Sequence, residues 1–361
     1  MQRQHATILP TALAILCFLS ISKIGLNAQT VQFTSDDFDP GDEFAGAVAV
    51  SGNTDIVGAI GAGDMGALSG SAYLFDVATG NQLFKLFPDD AAAGYLFGAS
   101  VAISGNSAIV GANGDDGGTG SAYLFDVTTG MQFAKLAASD AAANDAFGRS
   151  VAISGATAIV GAPAADGSAG AAYLFNAITG SEIFELMATD ASVNDTFGES
   201  VAIDGDTAVV GANGDNDGAG SSYLFDVTTG NQLFKLTGSD AAALDNFGTS
   251  VSISSGLVIV GANGNDDAGD FSGSAYFFDA DTGSQLAKLA ASDAEAGDAF
   301  GSSVSASGNN FIVGAPGSGD AADTSSVYTF VIPLPSSAWM GLSVLGGLAV
   351  VRLRRALNHR A

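Results

Sequence analysis

A repeat of about 50 residues, four strand-length apolar segments in each copy, and turn-forming residues between them predict an all-β chain folded as a six-bladed β-propeller. The period is set by Phe-Gly pairs at Phe97, Phe147, Phe197, Phe247 and Phe300, with the variant Phe-Ala at Phe44; the spacings are 53, 50, 50, 50 and 53 residues. Tyrosines keep the same register at Tyr73, Tyr123, Tyr173, Tyr223, Tyr276 and Tyr328. Four antiparallel strands in such a unit make one blade. A β-solenoid is the competitor, but its rungs are usually shorter and lack a hairpin meander.

The chain opens with "MQRQHATILPTALAILCFLSISKIGLNAQT". A basic start, an apolar core and a small residue at Ala28 give residues 1–28 the form of a secretory signal. The repeat body follows over 29–331. In its third copy the segments "SVAIS", "AIVGA", "AAYLFNA" and "EIFELM" are the four expected strands. "SGAT" and "NAITGS" are hairpin-sized turns, where glycine supplies positive φ and Asn or Asp bonds nearby backbone. The sixth copy has "SSVSAS", "NFIVGA" and "SSVYTFVI" and then runs into the tail with no fourth strand. The missing strand stands at the other end: "TVQFTSDDFDPGDEFA" matches the joint "LFKLTGSDAAALDNFG" between copies. Residues Val31 to Thr34 are therefore expected to complete the last blade and close the ring without an open edge. A seven-bladed ring is the alternative, and it would need a blade for which no segment is found.

Residues 332–361 read as an address. Ile332, Pro333, Leu334 and Pro335 precede Trp339, an apolar run from Ala338 to Val351, and the bases Arg352, Arg354 and Arg355. The run is short for a hydrocarbon core of ~30 Å, and its basic flank would hold that end in the cytoplasm. An ordinary C-terminal anchor is one reading. The three-part pattern also resembles the PEP-CTERM class of bacterial sorting tails in its Val/Ile-Pro-Leu-Pro variant. That resemblance implies an exosortase-type partner, transient membrane anchoring, removal of the tail and delivery to the cell surface or its exopolysaccharide.

The Phe-Gly and "VGA(P)" positions of the six copies carry a second resemblance: the units look like FG-GAP repeats, as in the integrin α-chain propeller and many secreted bacterial proteins. It spans about Val31 to Ile332 and implies a propeller with an extracellular binding or adhesion role. One departure matters. Integrin-type repeats carry an Asp-rich calcium loop between the first and second strands. Here that connection is a short "SGNS", "SGAT" or "DGDT" turn, so the family's calcium residues have no counterparts there.

Composition narrows the function classes. All 38 acids and only five bases (Lys85, Lys135, Arg149, Lys235, Lys288) lie in the repeat body. Such a body repels phosphate backbones, which excludes nucleic acid as a partner. The only cysteine, Cys17, and both histidines, His5 and His359, fall in the terminal segments. The body thus has no disulfide, no thiol nucleophile and no imidazole base, and the chain is read as a non-enzyme. Abundant carboxylate pairs leave a carbohydrate-active enzyme as the least favoured alternative.

Topology sorts the acids. In an up-and-down meander the second-to-third and fourth-to-first connections leave on one face, and most acids lie in those two connections. One rim of the propeller is expected to be intensely negative. Oxygen ligands crowd there at Asn213, Asp215 and Asp217, and at Asn263, Asn265, Asp267 and Asp270, which makes these residues the candidate Ca2+ ligands. The first set is half an EF-type loop: counted from Asn213, the twelfth position is Leu224 and not Glu. Solvated turns built of Asp, Asn and Gly are the other reading of the same residues. Asp145, Asp195, Asp245 and Asp298, two residues before each Phe-Gly, are expected to lock turns.

The sequence thus describes an exported surface or matrix protein whose propeller binds an extracellular protein or polysaccharide, with calcium as a candidate aid. A purely structural component without a specific ligand is the alternative.

Overall fold

The computed structural model describes residues 32–317 apart from 38 and 40, residues 325–331, and the backbone of 351–352. Six four-stranded antiparallel sheets follow one another along the chain, each with its strands in consecutive order. They are the six blades of a β-propeller. Blade one holds Phe44–Ser51, Thr54–Ala59, Ser71–Asp76 and Gln82–Leu86, and blade two Phe97–Ser104, Ser107–Ala112, Ser121–Asp126 and Gln132–Leu136. Blade three holds Ser150–Ser154, Thr157–Ala162, Ala171–Asn176 and Glu182–Leu186. Blade four holds Ser200–Asp204, Thr207–Ala212, Ser221–Asp226 and Gln232–Leu236. Blade five holds Phe247–Ser254, Leu257–Ala262, Ser274–Asp279 and Gln285–Leu289. Blade six holds Ser303–Ser307, Asn310–Ala315, Ser326–Val331 and Val351–Arg352.

Burial explains the composition of each strand. The second and third strands lie inside their sheet and are covered on both faces by neighbouring blades, so "AIVGA" and "AYLF" read as unbroken apolar runs. The fourth strand lies at the rim and alternates, as in "QFAKL". The Phe of each Phe-Gly pair is the wedge. Phe147 is buried and meets Tyr173 and Phe175 of its own blade at ring-centroid distances of 5.5 and 5.8 Å. That group joins Ile109, Leu124 and Leu136 of blade two in one apolar cluster. The same cluster recurs between blades one and two, three and four, four and five, and five and six.

The two halves of the repeat motif meet across these interfaces. Gly148, the glycine of a Phe-Gly pair, has φ of +88°, and a Cβ there would lie 2.3 Å from the Ser121 carbonyl oxygen of blade two. Gly111, in the "VGA" of blade two, could not carry a Cβ either, because it would lie 2.0 Å from the Gly148 carbonyl oxygen. The backbones of adjacent blades touch, and only glycine permits the approach.

Closure differs from the sequence expectation. Residues 32–35 form no strand. The fourth strand of blade six is Val351–Arg352, which pairs antiparallel with Tyr328 and Thr329. The N-terminal segment docks instead on blade one in the register that the joint match implies. Phe33 packs on Phe75 at 5.3 Å, the Asp36 amide donates to Gln82, and Asp37 accepts from Tyr73. The N-terminal joint is held by these blade-one contacts, and the backbone pairing of blade six also differs in residue type. Val351–Arg352 sets a base opposite Tyr328, as Lys135 stands opposite Tyr123, whereas the N-terminal match would set Gln32 there.

Among the described residues no apolar cluster joins blade six to blade one. Val48 and Val50 are 66% and 64% exposed, although their counterparts Val101 and Ile103 are buried. Ile312 is 44% exposed where Ile109 is fully covered. Among the described residues a seam with no shared apolar cluster therefore lies between the first and last blades.

Candidate functional site: a rim of tyrosine, aspartate and lysine

The two acid-rich connections do converge on one face. In every blade the third-strand tyrosine donates its hydroxyl to an aspartate of the preceding fourth-to-first joint. The pairs are Tyr73–Asp37, Tyr123–Asp90, Tyr173–Asp140, Tyr223–Asp190, Tyr276–Asp240 and Tyr328–Asp293, at 2.8 to 3.1 Å. Each ring is buried while its hydroxyl reaches the rim, so the tyrosine ties one blade to the joint that precedes it.

In four blades a lysine completes the group. Cross-strand pairing sets Lys85, Lys135, Lys235 and Lys288 opposite the tyrosine. Lys135 Nζ lies 2.6 Å from Asp90, 2.8 Å from Asp115 and 5.4 Å from the Tyr123 ring centroid. Lys235 lies 2.6 Å from both Asp190 and Asp215 and 5.3 Å from the Tyr223 ring. Lys85 bridges Asp37 and Asp64, and Lys288 bridges Asp240 and Asp267. Each ammonium is thus held between a joint carboxylate and a second-to-third-loop carboxylate, over an aromatic face.

Charge states follow the geometry. Burial works to raise the Asp115 carboxyl, but the Lys135 ammonium and the Ser121 and Tyr123 hydroxyls outweigh it, and its pKa is lowered. Burial works to lower Lys135, and Asp115 and Asp90 together leave it raised. The lowered Asp115 carboxyl and the raised Lys135 ammonium mark the group as a structural ion cluster.

Blade three departs from this pattern. Glu185 stands opposite Tyr173 where the other blades have lysine. The buried loop aspartate is replaced by Ala165, the helical turn Ala165–Ser168 taking the place of Asp115–Gly118. Burial, with the negative charges of Asp140, Asp166 and Glu182, pushes the Glu185 carboxyl up.

The candidate calcium ligands are scattered over several roles. Asp215 is buried and engaged by Lys235 and by Ser221 at 2.5 Å. Asp267 is engaged by Lys288. Asn213 accepts from Thr196 at 2.7 Å. Asn265 accepts from Ser274 and Lys288 and donates to Asp245. Asn263 donates weakly to Ser302, and its buried Oδ1 has no partner. Asp217 and Asp270 face solvent. Among the described residues no three acids, His or Cys are grouped to hold a metal ion. The donor set read from the sequence does not fit a single calcium cage, because lysine ammoniums sit at its two strongest carboxylates.

Asp145, Asp195, Asp245 and Asp298 lock turns by accepting from the backbone amide three residues earlier at 2.7 to 2.9 Å. The lysine cluster was the part that sequence reasoning missed. Its signal was present: lysine follows tyrosine by a constant interval in blades one, two, four and five, and Glu185 breaks the series.

Of the sorting-tail residues, Ile332, Pro333, Leu334, Pro335, Trp339, Arg354 and Arg355 lie outside the described residues, as does the signal segment. Arg352 is described only by its backbone, on the edge of blade six. Among the described residues no helix is long and apolar enough to cross a membrane.

A family model described as FG-GAP repeat matches residues 28–75, 81–125, 131–175, 181–225, 231–278 and 284–330. No curated protein matches the chain. The crystal structure of the computationally designed Ika8 protein is similar in fold, at 19% identity and a TM-score of 0.50, over 74% of this chain and 67% of that one.

Proposed function

Because the chain belongs to the FG-GAP repeat family, we propose that it works as an exported surface or matrix propeller whose acidic rim binds an extracellular protein or polysaccharide. The fold itself is that of a binding or structural module. The rim is the observation that supports binding: its loops bring carboxylates to one face in every blade, and lysine neutralises only part of them. Export, adhesion and sorting by an exosortase-type enzyme rest on the sequence features of the two ends. Calcium assistance is the weaker half of the reading. Any ion would be held by exposed rim carboxylates outside the lysine clusters, such as Asp217 and Asp270.

The chain is not an enzyme in this reading. Its carboxylates are either exposed or engaged by lysine, tyrosine and backbone donors, and the repeat body contains no histidine or cysteine. A structural component without a ligand is the second reading, supported by the placement of most aromatic side chains in blade interfaces.

The test is retention of the full chain on immobilised exopolysaccharide and matrix protein. The comparison is a variant with Asp116, Asp166, Asp217 and Asp270 changed to Asn, all four being exposed. Binding by the wild type and loss in the variant is expected. Equal retention of the two proteins, or of neither, would favour the structural reading.

A further inference from the structure

We propose that blade three carries an open receptor for a primary ammonium, in which Tyr173, Asp140 and Glu185 receive from outside the cation that the other blades supply from their own chain. The four lysine-bearing blades show what this arrangement holds. In each, an ammonium lies between carboxylates and 5.3 to 5.4 Å from the tyrosine ring centroid. In blade six the register sets Arg352 opposite Tyr328. Only blade three sets an acid there.

The tyrosine and joint-aspartate half of the receptor is retained. Tyr173 still donates to Asp140 at 2.9 Å, as Tyr223 donates to Asp190 at 3.0 Å. The backbone pairing of Tyr173 with Glu185 has the same register as that of Tyr223 with Lys235. Ala165 and Ala171 stand where blade two has Asp115 and Ser121, so the loop carboxylate is absent and Glu185 is the second carboxylate beside Asp140. Arg149, the one base of the third repeat, is paired with Glu199 at 2.9 Å. Charge balance points the same way. A lysine-bearing group carries one cation and two carboxylates. Asp140 and Glu185 reach that balance only when one external cation joins them.

Among cations, a primary ammonium fits best. Its three donors match two carboxylates and leave one face against the ring, as in the sister blades. Two carboxylates are too few for a calcium ion, which takes about six to eight oxygens. The ammonium would come from a free amine or from a lysine side chain of a partner polypeptide. This inference deepens the rim-binding reading by naming a ligand chemistry at one blade, and it rests on that reading only for the face it uses.

The test uses the full chain with carbon-13 in the tyrosine rings, titrated at constant ionic strength. One arm adds n-butylammonium, another a neutral-ended tripeptide with a central lysine, and a third sodium alone. The expected result is a saturable shift of the Tyr173 signals with either amine and little response at Tyr73, Tyr123, Tyr223 and Tyr276. The shift should vanish in Glu185→Lys, which fills the receptor as in blade two. Tighter binding of the tripeptide assigns a partner lysine, and equal binding assigns a free amine. No Tyr173 shift, an equal shift with sodium, or an unchanged shift in Glu185→Lys would each overturn the proposal. Glycan or protein retention by the rim can succeed or fail independently of this result.

Discussion

Replacing Lys135 by Met should expose how much the rim clusters stabilise the fold. Methionine keeps most of the apolar stem and removes the charge. Asp115 is then left fully buried, with the Tyr123 hydroxyl at 2.9 Å as a remaining donor. Removing one partner of a buried ion pair costs ~3–5 kcal/mol. The Lys135 side chain is 31% exposed, so water screens part of the interaction, and about 2–3 kcal/mol is the expected loss at pH 7. Lys85→Met is the internal control. Its partners Asp37 and Asp64 are both 43% exposed, so water can replace the ammonium at a cost of about 1 kcal/mol or less. Guanidinium unfolding at equal slope would read both values. The sign of the pH effect is fixed by the lowered Asp115 pKa. A carboxyl depressed in the folded state stabilises above its unfolded pKa, and that contribution is lost as pH falls through the folded value. In Lys135→Met the buried carboxyl loses its cation and takes up a proton more readily, so the gap to wild type should narrow from pH 7 towards pH 4. Equal losses for the two lysines, or a gap that widens on acidification, would refute the reasoning.

Three further outcomes are expected. Gly111→Ala should destabilise by about 3 kcal/mol, since its Cβ meets the rigid Gly148 carbonyl of the next blade; Gly314→Ala, whose Cβ meets only Ser303 of its own blade, should cost clearly less in the same unfolding assay. Phe147→Ala should cost ~3–5 kcal/mol by emptying a two-blade cluster, whereas Phe44→Ala, at the half-exposed first wedge, should cost less. Calcium at millimolar concentration should raise the melting temperature of the full chain if exposed rim carboxylates hold the ion in the folded state only; identical melting in calcium and in chelator would remove calcium from the proposed function.

Much of the fold was legible because each blade repeats the same local instructions. "SVAIS" and "AYLF" alternate or run unbroken according to how many faces are covered, and the repeat makes that pattern visible six times. The face on which the acids gather followed from the order of connections alone. The pairing within that face did not. Lys135 and Asp115 are 20 residues apart, and their contact depends on a hairpin register that brings Lys135 opposite Tyr123. The lysine at Asp215 was hidden from the calcium reading for the same reason. Asn213, Asp215 and Asp217 resemble ligands when read along the chain, but the ammonium that meets Asp215 arrives from Lys235 on another strand.

Apart from those of blade three, several irregular residues of the repeat lie in the first and last blades. Ala45 replaces the Phe-Gly glycine of blade one at φ of +72°; its Cβ would be excluded if another blade's glycine lay against it, as Gly148 does against Gly111. Asp55 occupies the second-strand place that Ala108, Ala158 and Ala208 fill in buried interfaces, and burial pushes its carboxyl up even here. Thr329 stands where Leu124 and Leu174 are fully covered. Each substitution would weaken a regular blade interface. Terminal repeats of a stacked array need polar outer faces because no neighbour covers them. The first and last blades therefore carry end-cap chemistry. On blade one, Phe33 and Phe44 pack on a smaller apolar cluster with Tyr73 and Phe75, and Asp37 accepts from Tyr73.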